Sequence, residues 1–327
     1  MICSAITGTQ FSAHDLPGHP ECNARLNIAC SGIDPHCSIY PPQMCSREDL
    51  ERVHDRSYIN WLHDRCQETE MVKYLDPDTY ITHHSFDIAT LAAGSAITAI
   101  DRALNGEHCF ALIRPPGHHA EHNRAMGFCL LNNIAIAAMS ALKKVDRIAI
   151  VDWDYHHGNG TQHTFYSSNQ VLYCSVHQCD AFPFSGSLQE TGSGDGQGFT
   201  INAPLNANST IADYVAIFSN IFIPAIERFK PDVTIVSAGQ DILFDDPIGM
   251  MNIYPVDFEI MTRLLLPSGE RALAFILEGG YGPSHGEAIA SIFRALRSKR
   301  EIETTFGEPQ RSTRDLVSVL KKIQRIE

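Results

Sequence analysis

The sequence predicts an α/β fold in one domain over residues 1–327, with a mostly parallel central sheet and helices on both faces. Three observations carry that expectation. Five short apolar runs, at 109–113, 147–151, 171–176, 232–237 and 272–277, are continuous rather than alternating, as strands covered on both faces are. Stretches of helical period separate them, and strand–helix alternation points to a parallel sheet. Four of the five runs pass directly into polar clusters, which suits a sheet that binds ligands beyond the carboxyl ends of its strands.

The elements follow in chain order. The first sixty or so residues read as irregular, with Pro17, Pro20, Pro35, Pro41 and Pro42. Ile88, Leu91, Ala92, Ile97, Ile100 and Leu104 recur at helical spacing, as do Ile134, Ala138 and Leu142. Tyr214, Val215, Phe218, Ile221 and Phe222 form a further helical face before Pro224, where the helix should kink or restart. Ser312-Thr313-Arg314-Asp315 has the pattern of a capping box ahead of Leu316, Leu320, Ile323 and Ile326. No linker, repeat or low-complexity tract interrupts the chain.

Composition removes several function classes. With 25 Lys+Arg against 38 Asp+Glu the net charge is −13, the opposite of a nucleic-acid binder's basic footprint. With 44% hydrophobic residues the chain is no disordered protein. No apolar run reaches the ~18 residues of a membrane span, and no secretory signal is visible at the start. The ten cysteines include no C-x-x-C pair, and several lie in apolar runs. They are expected to be reduced and the compartment cytoplasmic. Sixteen histidines ask for an explanation.

The chemistry gathers at the strand ends. Arg114-Pro115-Pro116-Gly117-His118-His119 follows the first run, and Asp152-Trp153-Asp154-Tyr155-His156-His157-Gly158-Asn159-Gly160 the second. Ser237-Ala238-Gly239-Gln240-Asp241 and Glu278-Gly279-Gly280-Tyr281-Gly282 follow the last two. In extended chain Asp152, Asp154 and His156 point to one face, where two carboxylates and an imidazole call for a cation. Oxygen and nitrogen donors without thiolate suit Zn²⁺, with Fe²⁺ or Co²⁺ as alternatives. A further ligand is needed from elsewhere, and Asp241 is the natural candidate. His118 or His119 could serve as general base or acid beside the metal. The chemistry leaves open which of His118, His119, His156 and His157 ligate. His83-His84, with no strand behind it, reads as surface. Tyr281 offers a phenol to a developing oxyanion, and Phe128 and Phe182 suit either core or channel wall.

Taken together, R-P-P-G-H-H, G-F-C, D-x-D-x-H-H-G-N-G, S-A-G-x-D and E-G-G-Y resemble the zinc-dependent histone deacetylase family, in its order, over about residues 5–285. His19-Pro20-Glu21 with Arg25-Leu26 resembles that family's N-terminal signature. Asn159 and the stand-alone length look like class II and its histone deacetylase-like amidohydrolases. The resemblance implies an arginase/deacetylase-like fold with Asp154, His156 and Asp241 as metal ligands. It implies His119 as principal base and acid, His118 as its electrostatic partner, Asp152 behind His118 and Asn159 beside His119. Tyr281 would polarise the acyl carbonyl, with Gly127, Phe128 and Phe182 along the channel. It also implies a structural K⁺ on backbone oxygens of Asp152, Asp154, His156 and Val176 with Ser175. Gln240 departs from the family's S-A-G-F-D form, and Phe184 competes with Phe182 for the channel.

These readings lead to one expected activity: metal-dependent hydrolysis of the side-chain amide of acetyl-lysine, or another acyl-lysine, in a protein or peptide. Alternatives are an acetylpolyamine or other small-molecule amidohydrolase, and a non-catalytic acyl-lysine reader. The short stretch between Ile59 and Thr82 and the apolar Ile248 favour acyl-lysine over polyamine. Asp76 or Asp78 is expected at the channel rim, where acidity would suit a substrate flanked by cationic residues.

Overall fold

The computed structural model describes residues 3–266, 272–297 and 306–326. Its centre is an eight-stranded sheet built from β1 (Cys3–Ile6), β2 (Ser38–Tyr40), β5 (His108–Ala111), β6 (Ile148–Asp152), β7 (Val171–Gln178), β8 (Thr200–Leu205), β9 (Val233–Ala238) and β10 (Leu273–Leu277). A small hairpin, β3 (Lys73–Tyr74) with β4 (Tyr80–Ile81), stands apart from it. The order across the sheet is β2-β1-β5-β10-β9-β6-β7-β8, and every pairing in it is parallel. This is the α/β, mostly parallel architecture the sequence predicts. All residues of β1, β5, β6 and β10 are buried, which explains why those runs lack alternation.

Helices cover the sheet. Ser85–Leu104 is alanine-rich and packs on the alanine-rich helix Asn133–Ala141; small side chains let the two approach closely. The Asn132 side chain caps the second by accepting from Ala135 N. His285–Arg297 and Asp257–Leu265 pack on one another. Among the described residues no helix is long and apolar enough to cross a membrane.

The structure corrects several expectations. The first sixty residues hold β1, β2 and the helices Asn23–Cys30, Arg47–Glu51 and Arg56–Gln67. A parallel strand at 200–205 was not expected at all. The restart expected at Pro224 does occur, preceded by a π-turn at Phe218–Phe222 that the sequence did not announce. Pro224 then sits in the first turn of Ile223–Phe229, where its missing N–H costs nothing. The box at Ser312 does not form: the helix begins at Arg311, and Thr313 donates instead to Asp213 at 2.6 Å. The capping box lies at Thr210 with Asp213.

Nor are all the cysteines reduced. Cys3 and Cys37 form a disulfide, with Cα atoms 5.4 Å apart, because β1 and β2 pair in parallel with Ser4 opposite Ser38. The other eight are free. The cysteines therefore no longer argue for a cytoplasmic setting.

Candidate metal centre and active site

The four strands that end in polar clusters, β5, β10, β9 and β6, are consecutive neighbours in the middle of the sheet. Their carboxyl ends therefore deliver residues 114–119, 278–282, 237–241 and 152–160 to one place. A cavity of about 210 Å³ opens there. His118, His119, Asp154, His156, Asp241 and Tyr281 line it together with Gly127, Phe128 and Phe182. Ile248 and Asp78 also line it, with Pro116 and Gly279, while Asp76 instead holds the loop by accepting from Asp78 N and Thr79 N.

Two carboxylates and one imidazole converge at the base. His156 Nδ1 lies 3.3 Å from Asp154 Oδ1 and 3.1 Å from Asp241 Oδ2. One donor atom from each of the three residues falls within 4.8 Å of the others. Backbone N–H groups fix the carboxylates: Gly279 N donates to Asp154 and Tyr155 N to Asp241, both at 2.9 Å. A Cβ at Gly279 would come within 2.3 Å of Asp241 Oδ2, so only glycine lets β10 approach the acids. Burial, then the facing Asp154, pushes Asp241 up to about 7. Such a like-charge pair with nitrogen beside it fits a divalent cation, and three protein ligands leave positions open for substrate and water. Asp152 points away from the triad. Its Oδ2 lies 3.2 Å from His118 Nδ1 and accepts from Tyr173 OH at 3.0 Å. It stands opposite Ser175 in the β6–β7 register; the Ser175 hydroxyl meets His177 Nδ1, and Val176 is buried.

The two adjacent histidines stand in different electrostatic settings, with ring centroids 4.0 Å apart. Burial pulls His118 down, but Asp154, Asp152 and Glu278 overcome it and hold His118 up at about 10. Burial and the neighbouring His118 and His156 hold His119 well below the ordinary imidazole value. The first setting favours the charged imidazole and the second the neutral one. Glu278 also positions the pair, because its Oε2 accepts from Gly117 N at 2.6 Å and His118 N at 3.1 Å. His119 Nδ1 meets Asn159 Oδ1 at 2.8 Å.

The walls are aromatic. Gly127 has φ +56°, and a Cβ there would lie 2.6 Å from the His119 ring and 2.9 Å from Phe182. Phe128 also takes positive φ, at 67°, and meets the Tyr281 ring edge-on at 5.7 Å. Phe184 is 80% exposed, so Phe182 is the one that reaches the cavity. Gln240, the departure noted in the sequence, is fully buried and donates to Ala238 O at 2.9 Å. His83 and His84 are exposed, as expected.

Beneath Tyr281 lies a cluster the motifs did not resolve. Glu21 accepts from Arg114 Nη2 at 2.6 Å and from Arg25 Nε at 3.2 Å, all three buried. Arg25 continues to Glu278 O at 2.9 Å and lies 5.1 Å from the Tyr281 ring centroid. Glu121 and His163, behind Asn159, were also missed. A signal existed: Glu121 is two residues beyond His119, and His163 is one helical turn beyond Asn159.

Comparison with known proteins agrees with this geometry. The family model described as histone deacetylase domain matches residues 19–296. A probable deacetylase of Archaeoglobus fulgidus is 38% identical, over 86% of this chain and 82% of its own. The histone deacetylase-like amidohydrolase of Pseudomonas aeruginosa is 37% identical, over 85% and 77%. Histone deacetylase 18 of Arabidopsis thaliana is 33% identical over 94% of this chain, which spans about half (49%) of that relative's length. The crystal structure of the HDA15 HD domain superposes with a TM-score of 0.90 at 32% identity, covering 99% of this chain and 96% of that one. Strand order, converging donors and sequence agree: the chain belongs to the histone deacetylase family.

Proposed function

We propose that the protein hydrolyses the side-chain amide of acyl-lysine in proteins or peptides, acetyl-lysine first, with a divalent metal, Zn²⁺ by preference, held by Asp154, His156 and Asp241. Fe²⁺ or Co²⁺ would suit the same donors. One observation carries the reading. A cavity walled by Phe128 and Phe182 ends on those three donors, with His119 and the Tyr281 phenol beside them. An aliphatic lysine stem suits such walls, and an amide at its tip would reach the polar end.

The bound ion would supply Lewis acidity to the amide carbonyl and to the attacking water. His119, neutral and tethered through Nδ1, takes the water proton on Nε2 as the new C–O bond forms. It then delivers a proton to the leaving nitrogen as the C–N bond breaks, giving a carboxylate and a free lysine amine. His118, kept cationic by Asp152, Asp154 and Glu278, offsets the negative charge that builds up. Burial raises the Tyr281 phenol well above its ordinary value, so it keeps its proton and donates to the developing oxyanion. A structural K⁺ on backbone oxygens of Asp152, Asp154, His156 and Val176 with Ser175 belongs to the same reading. Asp78 at the mouth suits a cationic flanking residue on the substrate.

A second reading, hydrolysis of acetylated polyamines, draws on that same Asp78, which could hold a distal ammonium. The apolar Ile248 in the wall weighs against it. The experiment is metal analysis of the purified protein combined with kcat/KM for acyl-lysine peptides, from acetyl to long chain, beside acetylated polyamines. Higher kcat/KM for an acyl-lysine peptide supports the proposal. Preference for polyamines overturns its substrate, and a metal-loaded protein inert to all of them, as an acyl-lysine reader would be, overturns its chemistry.

A further inference from the structure

Behind His119 a row of polar groups runs out to the surface. Asn159 Oδ1 faces His119 Nδ1, and Asn159 Nδ2 donates to Glu121 Oε1. Glu121 Oε2 in turn lies 2.7 Å from His163 Nδ1. The row passes from a buried base to His163, whose side chain is 51% exposed, while that of Glu121 is only 19% exposed. Asn159 and His163 share one face of the helix Asn159–Phe165.

An asparagine amide has two ends of nearly the same shape and opposite hydrogen-bonding character. With Oδ1 toward His119, the imidazole carries its proton on Nδ1, and Nε2 presents a lone pair to the cavity. With the amide reversed, Nδ1 must accept, the proton moves to Nε2, and that nitrogen takes no proton from water. Something must choose between the two. The His119 carbonyl at 3.3 Å and Met126 Sδ at 3.5 Å are neutral, longer acceptors for Nδ2. Glu121 is charged, and charge-assisted hydrogen bonds are roughly twice as strong. Reversal would also set Asn159 Oδ1 against a carboxylate that can only accept.

We propose that Glu121 is a positioning residue for amide hydrolysis: its carboxylate locks the Asn159 amide and, through it, the Nδ1–H tautomer of His119. The assignment rests on His119 being the base of the proposed reaction. Glu121 is suited to the task. Burial opposes its ionisation, but hydrogen bonds from His163 and Asn159 outweigh that and hold it below its ordinary value.

The test compares Glu121→Leu and Glu121→Gln, each alone and with Asn159→Asp. Glu121→Leu should lower kcat about tenfold or more, with little change in KM, as loss of such an outer partner does. Glu121→Gln keeps an acceptor for Asn159 and should recover most of that loss. With Asn159→Asp there is no amide to orient, and Glu121 then faces a like charge. In that background Glu121→Gln should not lower kcat, whereas loss of a merely structural contact would lower it in both backgrounds. The imidazole ¹⁵N shifts of His119 provide a readout independent of turnover. They should report Nδ1–H in the starting protein and a shift toward Nε2–H in Glu121→Leu. An unchanged tautomer in Glu121→Leu, or an effect of the same sign in both backgrounds, overturns the proposal. Absence of turnover in the unmodified protein would count against the proposed function instead, and the tautomer would still decide the role of Glu121.

Discussion

Replacing Glu21 with glutamine should destabilise the protein and slow it, although Glu21 does not line the cavity. Its carboxylate takes three N–H bonds, from Arg25 Nε at 3.2 Å, Arg114 Nε at 2.9 Å and Arg114 Nη2 at 2.6 Å. The Arg25 side chain is 3% exposed, and those of Arg114 and Glu21 are not exposed at all. Glu21→Gln preserves shape and leaves two buried guanidinium groups without a counter-charge. Breaking a buried pair on one side costs about 3–5 kcal/mol. Unfolding entropy of about 2.1 cal/mol/K per residue over 327 residues turns that into a Tm lower by about 4–7 °C. Because Arg25 also holds the Glu278 and Gly280 carbonyls beneath the Tyr281 ring, kcat should fall as well. Thermal unfolding at pH 7 with a parallel rate measurement checks both. A Tm within about 2 °C of the starting protein would refute the reasoning, since that is below the smallest cost expected.

Tyr281→Phe keeps the ring that meets Phe128 and Arg25, so the variant should fold and bind metal while kcat drops about 10²–10³-fold; turnover within tenfold of normal would remove Tyr281 from its role. Chelation should abolish hydrolysis and added Zn²⁺ restore it, whereas Asp241→Asn, which removes one ligand charge, should weaken metal retention in equilibrium dialysis. Gly127→Val forces a side chain against His119 and Phe182 at a positive φ, and lost turnover with metal content preserved is the expected result. Stability should also fall in acid. Burial holds His54 down at about 4, and its Nε2 accepts from Asn132 N at 2.9 Å while Nδ1 meets Glu121 O at 2.9 Å. The folded state therefore refuses a proton that the unfolded chain takes near 6.5. That stability is complete above pH 6.5 and lost progressively toward pH 4, by about 3 kcal/mol for this residue; His54→Gln should flatten the loss in denaturant titrations across that range.

The central strands were legible because burial on both faces writes itself into sequence as unbroken apolar runs. The strand ends were legible because each run stops at a polar cluster. β8 was not, since Asn202 and Pro204 interrupt its run, and Asn202 is satisfied from far away, through Gln162 at 2.7 Å. β1 is four residues long and depends on β5 and β2 for its existence. The Cys3–Cys37 bond follows from that pairing and from nothing local. Within the site, the triad and the histidine pair were recognisable by motif. Glu121 was not, because its partners Asn159 and His163 lie 38 and 42 positions away. Glu21, Arg25 and Arg114 stood in motifs, but the buried contact that joins Glu21 to Arg114 spans 93 positions and no motif announces it.

The position of β10 has a consequence for how the chain is made. It lies between β5 and β9, both of which precede it in sequence. Until residue 277 leaves the ribosome, β5 and β9 each expose an unpaired apolar edge, the kind of surface on which chains aggregate. The residues that follow β10, Glu278 to Tyr281 among them, reach the site only when that strand fills the gap between β5 and β9.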